Sequence, residues 1–222
     1  MIAVGAIAIG LLVGGLLGLA AGYFRGKTDA VLSPTFNALL AFPQLVLALL
    51  LVSVFANGPQ DSVAKRIVVL MAALGIIAIP LLARITRANT LAWADRDFVM
   101  AARAMGAKPW RVLFRDVLPN VVPAMMAITL RGYEHPFHPI PAITLLAIGV
   151  AIVAEAGLAF LGLGVKLPTP SWGNILAAGK PELRRVPMMV IAPTIFIFFT
   201  VMSLNFLGDV IQKRFNVRES LL

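Results

Sequence analysis

The sequence predicts an all-α protein, a polytopic membrane helix bundle with about five spans, and three observations predict it. Sixty per cent of the 222 residues are apolar and only 13% are charged, against about 45–50% and about 25% in soluble domains; mean hydropathy is +0.93. The apolar residues are gathered into long runs without charge, and the basic residues fall between those runs, unequally on alternate sides. The formal charge of +9 does not point to nucleic acid, because no soluble domain is left to present it; lipid headgroups and membrane orientation account for it. With no cysteine in the chain, disulfides and thiolate metal sites are excluded.

The runs cover 1–24, 30–60, 67–83, 139–165 (interrupted only by Glu155) and 186–208. Each can cross once, since about 20 helical residues bridge a hydrocarbon core of roughly 30 Å. The connections after the first and third runs and the tail after the fifth carry Arg25, Lys27, Arg84, Arg87, Arg96, Arg103, Lys108, Arg111, Arg115, Lys213, Arg214 and Arg218. The other two connections carry Lys65, Arg66, Lys166, Lys180, Arg184 and Arg185. Twelve against six assigns the first set, and the C-terminus with it, to the cytoplasm. Residue 1 then lies outside, with no basic segment before the first run, so a further helix upstream is expected; the run is too long and lacks the charged flank for a signal peptide.

In the first run Gly10, Gly14, Gly18 and Gly22 recur every four residues. They leave one helix face without side chains, which predicts close approach of a second helix. The second run contains Pro43, which removes one backbone hydrogen bond and predicts a kink; in transporters such bends sit where a helix must flex.

The third run leads into "MAARAMGAKPWRVLFRDVLPN", residues 100–120. Ala101, Ala102 and Ala104 make a slim helical turn, Gly106 can close it in a left-handed cap, and Pro109 suits the first turn of a new helix. Trp110, Leu113, Phe114, Val117 and Leu118 then fall on one apolar face, with Lys108, Arg111 and Arg115 opposite. Two readings fit: a basic helix lying in the membrane interface, or a slim element that seats in a groove of a cytoplasmic partner.

The polar insert 131–141 holds Glu134, His135 and His138, a potential ligand set. Pro136, Pro139 and Pro141 prevent a regular helix there, so the histidine spacing does not define a shared face. A surface or re-entrant loop is expected and no metal site is assigned. In the fourth run Glu155 is an ionisable group inside a span, a functional residue by default, although its nearness to the break at Gly162–Gly164 also suits a hydrated or paired carboxylate. The outer loop, about 162–187, contains Pro168, Pro170 and Pro181 with Trp172; it reads either as a rigid docking platform or as an interfacial tryptophan anchor. Its segment "GNILAAGKP" is not a phosphate loop: the Gly to Gly-Lys spacing is one residue too long, and Pro181 stands where a hydroxyl should hold magnesium.

"AARAMG", nine residues, then "DVLP" resembles the cytoplasmic loop of ABC-importer permeases, whose pattern is EAA, three residues, Gly, nine residues, Ile, any residue, Leu-Pro. It matches at Ala101, Ala102, Gly106, Leu118 and Pro119 and departs at Met100 and Asp116. "LLAFPQLVLALLLV", "AEAGLAFLGLGV", "PTPSWGNIL" and "NFLGD" are similar to segments of the dipeptide, oligopeptide and nickel importer permeases, the second permease of the pair. The likeness covers nearly the whole chain except the family's first helix and the outer loop after it. The chain also has about fifteen extra residues between Pro119 and Glu155, where "VVPAMMAITL" is echoed by "PIPAITLLAI".

The resemblance implies a type I ABC importer transmembrane domain over residues 1–222, in the bacterial cytoplasmic membrane, with a cytoplasmic coupling loop at about 90–120. Coupling to the ATPase would rest on Ala101, Ala102, Arg103, Gly106, Lys108, Pro109, Trp110 and Arg111. The translocation path would include Pro43 and Glu155, and a binding protein would dock on Pro168, Pro170, Trp172 and Gly173. The implied partners are a homologous second permease, two ATP-binding subunits that carry the ATP and Mg, an extracytoplasmic substrate-binding protein and the bilayer; this chain would be neither an enzyme nor a cofactor binder. Di- or oligopeptides are the expected cargo, with nickel complexes or haem as alternatives. A passive channel or proton-driven carrier would need several ionisable groups facing one another within spans, and Glu155 and Arg131 are too few; a non-transporting membrane anchor would leave the outer platform unexplained.

Overall fold

The structure, a computed structural model, describes residues 1–56, 58, 62–121, 140–165 and 169–216. Among them there is no strand. The helices are α1 (Ile2–Phe24), α2 (Gly26–Ala41), α3 (Gln44–Phe55), α4 (Val63–Ala94), α5 (Asp97–Ala104), α6 (Pro109–Val112, continued by a π turn at Leu113–Val117 and a helical turn at 118–121), α7 (Ile140–Phe160), α8 (Trp172–Gly179) and α9 (Met188–Asn216). By length and composition α1, α4 and Met188–Val210 of α9 can each cross a membrane, and α2 with α3 makes a fourth span if the bent pair counts as one. That makes three spans, or four with the bent pair, where five are expected; the described apolar stretch of α7, Leu145–Phe160, is shorter than these.

The glycine stripe does what its spacing predicts. A side chain on Gly14 would lie 2.6 Å from the Ile79 carbonyl oxygen, one on Gly22 2.7 Å from Thr90, and one on Gly18 would collide with the Ala83 carbonyl. Helix α1 therefore lies backbone to backbone along α4, running in the same direction. The facing stripe on α4 is itself small, with Gly75, Ala83, Thr86 and Thr90 buried. The Thr86 and Thr90 hydroxyls bond back to the carbonyls of Leu82 and Thr86, both at 2.8 Å, which satisfies them inside the seam. Helix α3 and the end of α7 close over this pair through Ala48, Val52, Leu70, Leu74 and Leu158. Helix α9 packs on α7 and α8 and leaves most of its apolar surface open.

Two expectations need correction. Pro43 does not kink a continuous helix: α2 and α3 are separate helices at 89°. Phe42 is extended (ψ 139°) and Pro43 caps α3, because the residue before proline is driven out of the helical region and proline cannot donate to the turn before it. The third span is also longer than its apolar run. With 32 residues α4 is about 48 Å long, so Arg84 and Arg87 lie on the helix rather than in a connection. There Arg87 makes a bidentate pair with Asp29 of α2, at 2.5 and 2.6 Å, and Ser33 donates to the same carboxylate.

Candidate functional site

The basic end of the bundle is organised around α5 and the turn after it. Asp97 opens α5 where a negative charge suits the helix dipole. At its other end the Gly106 N–H bonds to the Arg103 carbonyl (3.0 Å) and the Ala107 N–H to the Ala102 carbonyl (3.1 Å), with Gly106 at φ +78°. This is the paired left-handed termination that glycine serves best. Lys108 is extended and Pro109 starts α6, as the sequence requires.

One side of this helix–turn–helix is fused to the bundle. Val99, Val112, Leu113, Val117 and Val121 are buried against Leu19 and Tyr23 of α1 and Trp93 and Ala94 of α4. The Arg103 guanidinium sits over the Tyr23 ring at 4.9 Å, and Arg25 pairs with Asp95 at 2.6 Å. The other side is open and apolar: Phe98 is 46% exposed, Met100 52% and Met105 81%, with Ala101 and Ala104 also exposed between them. Ala102 belongs to the inner side, half-buried against the cluster. The open face is therefore Phe98, Met100, Ala101, Ala104 and Met105 rather than the alanine pair alone. Phe98, whose ring lies 6.3 Å from that of Trp93, Met100 and Met105 carry no motif, and only their exposure singles them out.

The second half of the loop departs from the expected single apolar face. The Leu118 N–H reaches back five residues to the Leu113 carbonyl, a π turn. Pro119 explains it: the ring would meet the Arg115 carbonyl and offers no N–H, and a widened turn relieves both problems. The wider turn brings Val112 and Val117, five apart, onto the buried side with Leu113. Trp110 and Phe114 are left outside, 60% and 49% exposed. They stack at 5.9 Å with 15° between planes, and Trp110 meets Phe24 edge-on at 4.9 Å.

At the opposite end, α7 stops in the same way as α5. Gly162, at φ +87°, donates to the Ala159 carbonyl and Leu163 to the Leu158 carbonyl, at 2.9 and 2.8 Å. The chain then folds back onto α7, where Gly164 and Gly173 rest against Ala159 and Ala156 with no room for a side chain. Ser171 caps α8 by accepting from the Asn174 N–H at 3.1 Å, and the Asn174 amide donates to the Val165 and Thr169 carbonyls at 2.9 and 3.1 Å. Asn174 is thus the knot of this loop, and its type and position gave no sign of that in the sequence. Gly173 is buried and supports the loop from beneath, so it offers no contact surface; Pro170 and Trp172 are exposed, and Pro168 lies outside the described residues.

Glu155 sits on α7 beneath the loop, with one carboxyl oxygen buried and without a hydrogen-bond partner among the described residues. Pro43 is exposed at the α2–α3 break, and Leu45, two residues on, lies beside Gly157 of α7, two residues beyond Glu155. "GNILAAGKP" is mostly helix α8, not a phosphate cradle. Glu134, His135 and His138 lie outside the described residues, and among the described residues no three potential ligands cluster.

Comparison with known proteins places this geometry. The profile of the family described as binding-protein-dependent transport system inner membrane component matches residues 14–132. The chain is 33% identical over 203 residues to the glutathione transport system permease protein GsiD of Pectobacterium atrosepticum, covering 91% of this chain and 60% of that protein. It is 35% identical over 205 residues to GsiD of Escherichia coli O157:H7, covering 92% and 60%. With the dipeptide transport system permease protein DppC of Alkalihalophilus pseudofirmus it shares 31% over 199 residues, 90% of this chain and 58% of that one. The chain thus spans about three fifths of the length of these relatives. Its fold is similar to a chain of the MetNI methionine ABC transporter in inward-facing form, with a TM-score of 0.65 at 17% identity over 96% of this chain and 91% of that one. An all-helical bundle with a glycine-capped loop at its basic end, matched over more than half its length by one profile, the chain belongs to the binding-protein-dependent transport system inner membrane component family.

Proposed function

We propose that the chain is a permease subunit of an ATP-driven importer in the bacterial cytoplasmic membrane, working by alternating access and without catalytic chemistry of its own. The observation that carries this reading is the open apolar face of Phe98, Met100, Ala101, Ala104 and Met105. A small-residue helix with large apolar side chains at its rim suits a groove in a folded partner, and exposed apolar patches of this kind mark interaction sites. The partner is the ATPase: two ATP-binding subunits that carry the ATP and Mg, joined by a homologous second permease and an extracytoplasmic substrate-binding protein.

The charge bias of the connections supports a cytoplasmic position for α5 and for the C-terminus. The buried side of α5 and α6 makes the transmission stiff. Because Val99, Val112 and Leu113 share one cluster with the ends of α1 and α4, a displacement of the tip carries the α1–α4 pair as a unit. Moving a two-state equilibrium from 1:99 to 99:1 takes about 5.5 kcal/mol, which a compliant loop could not deliver. Gly106 holds the loop's shape, and Lys108 and Pro109 set the return of the chain.

At the outer end the knotted loop suits a docking platform for the binding protein through Pro170 and Trp172, with Glu155 supporting it or lining the path. Pro43, at the α2–α3 break, is the point where the second span can flex. The names of the relatives favour a small peptide as cargo, glutathione or a dipeptide, over nickel complexes or haem. Affinity purification of the full-length protein from native membranes tests the assignment: two ATP-binding subunits and a sister permease are expected to copurify, and ATP-independent uptake by this chain alone would overturn the reading.

A further inference from the structure

The α6 half of the loop, whose Trp110 and Arg111 the resemblance assigned to ATPase coupling, has its own surface, and three observations on it converge. The first is depth. Phe24 is the last residue of α1, a 23-residue helix without a charged side chain, and Arg25 follows it. Trp110, with its ring 4.9 Å from Phe24, lies at the level where that span ends, where hydrocarbon gives way to headgroups. Tryptophan prefers this depth. The second is exposure: the Trp110–Phe114 stack lies outside the cluster that buries Val112, Leu113 and Val117, and the two residues are 60% and 49% exposed.

The third is charge. Arg111 and Arg115 directly follow the two rings in sequence, one helical turn apart, and both are exposed. Neither makes a hydrogen bond or ion pair with a described residue, whereas Arg25 and Arg87 at the same end are paired with Asp95 and Asp29. Asp116, half-buried, is the one carboxylate in residues 109–121, and it is not bonded to either guanidinium.

We propose that Trp110, Phe114, Arg111 and Arg115 form a binding surface for an anionic phospholipid headgroup. The stacked rings lie at the top of the acyl chains and the two guanidinium groups hold the phosphate. The guanidinium fork matches phosphate geometry. Bound lipid fixes the trailing half of the loop to the inner leaflet while α5 projects beyond it. The surface thus divides the loop between two partners, ATPase on α5 and bilayer on α6. The proposal rests on the importer reading only for the leaflet and for the partner on α5; its readout is lipid contact and not transport, so the failure of one is distinguishable from the failure of the other.

The test is quenching of Trp110 in the full-length protein, with its native partners, reconstituted into vesicles. One set contains phosphatidylglycerol brominated near the headgroup end of the acyl chain, and the other an equal mole fraction of phosphatidylcholine brominated at the same position. The difference from Trp110→Phe isolates that indole. Each basic residue at an anionic surface is worth about a fivefold preference, so an enrichment of about 25-fold for phosphatidylglycerol is expected. Arg111→Gln with Arg115→Gln should bring the two lipids level, and the Arg→Lys pair should retain most of the preference. Equal quenching by both lipids in the unmodified protein overturns the proposal. So does the absence of quenching by either, which would place Trp110 against the ATPase or another protein.

Discussion

Replacing Ala104 with tryptophan is expected to lower coupled transport about fivefold to 140-fold while the protein accumulates in the membrane at its normal level. Ala104 lies on the exposed side of α5, beside Met105 and across the helix from the cluster that holds the loop to the bundle. A large ring there disturbs nothing inside the chain. In a groove shaped for a slim helix it must push the partner away, and overpacking of this kind costs about 1–3 kcal/mol; each 1.4 kcal/mol is a factor of ten in an equilibrium. ATP hydrolysis in the assembled complex should then lose its dependence on substrate. Ala102→Trp is the poorer test, since Ala102 is half-buried against the protein's own core and a defect there would mix folding with docking. Normal transport and normal substrate-stimulated hydrolysis in Ala104→Trp would remove α5 from the coupling surface.

Gly18→Leu should abolish the fold itself. Even the first carbon of the new side chain would collide with the Ala83 carbonyl and come within 2.8 Å of Thr86. Backbone cannot yield as a flexible side chain can, so α1 must leave α4 and open the seam that both ends of the bundle share. The cost exceeds the roughly 3 kcal/mol of ordinary overpacking and consumes much of a domain's margin of about 5–15 kcal/mol. Gly157→Ala is the matched control, because its added carbon meets only Leu45, at 3.7 Å. Membrane abundance and thermal unfolding in detergent distinguish them: Gly157→Ala should resemble the unmodified protein, and Gly18→Leu should fail to accumulate. Equal behaviour of the two variants would contradict the α1–α4 seam.

The comparison of sequence with structure divides along physical lines. Features that depend on local spacing were legible: the glycine stripe of α1, the Gly106 termination, and Pro109 at the start of α6. Features that depend on what a segment meets were not. The stripe on α4 is interrupted by Ile79 and Leu82, so its small face shows only when α1 is laid along it. Pro119 carried a signal for the π turn, since a proline ten residues into a helix must disturb it, but the consequence for which side chains face inward follows only from the resulting geometry. At Phe42–Pro43 the proline was visible and the size of the bend was not, because an extended residue before proline can end one helix outright. Asn174 holds the outer loop through two carbonyls five and nine residues away, a pairing that no periodicity announces. The importance of Phe98, Met100 and Met105 lies in their exposure on one side of α5, which sequence cannot express.

The central claim is that the tip at Met105 faces the cytoplasm and is covered there by an ATPase. The chain has no cysteine, so Met105→Cys introduces a single thiol at a position 81% exposed. A membrane-impermeant maleimide should leave this thiol unmodified in intact cells and modify it in inside-out vesicles stripped of peripheral subunits, with protection restored when the ATP-binding subunits are added back. Modification from the outside of sealed cells would invert the topology, and unprotected labelling in the complete complex would show that α5 does not dock.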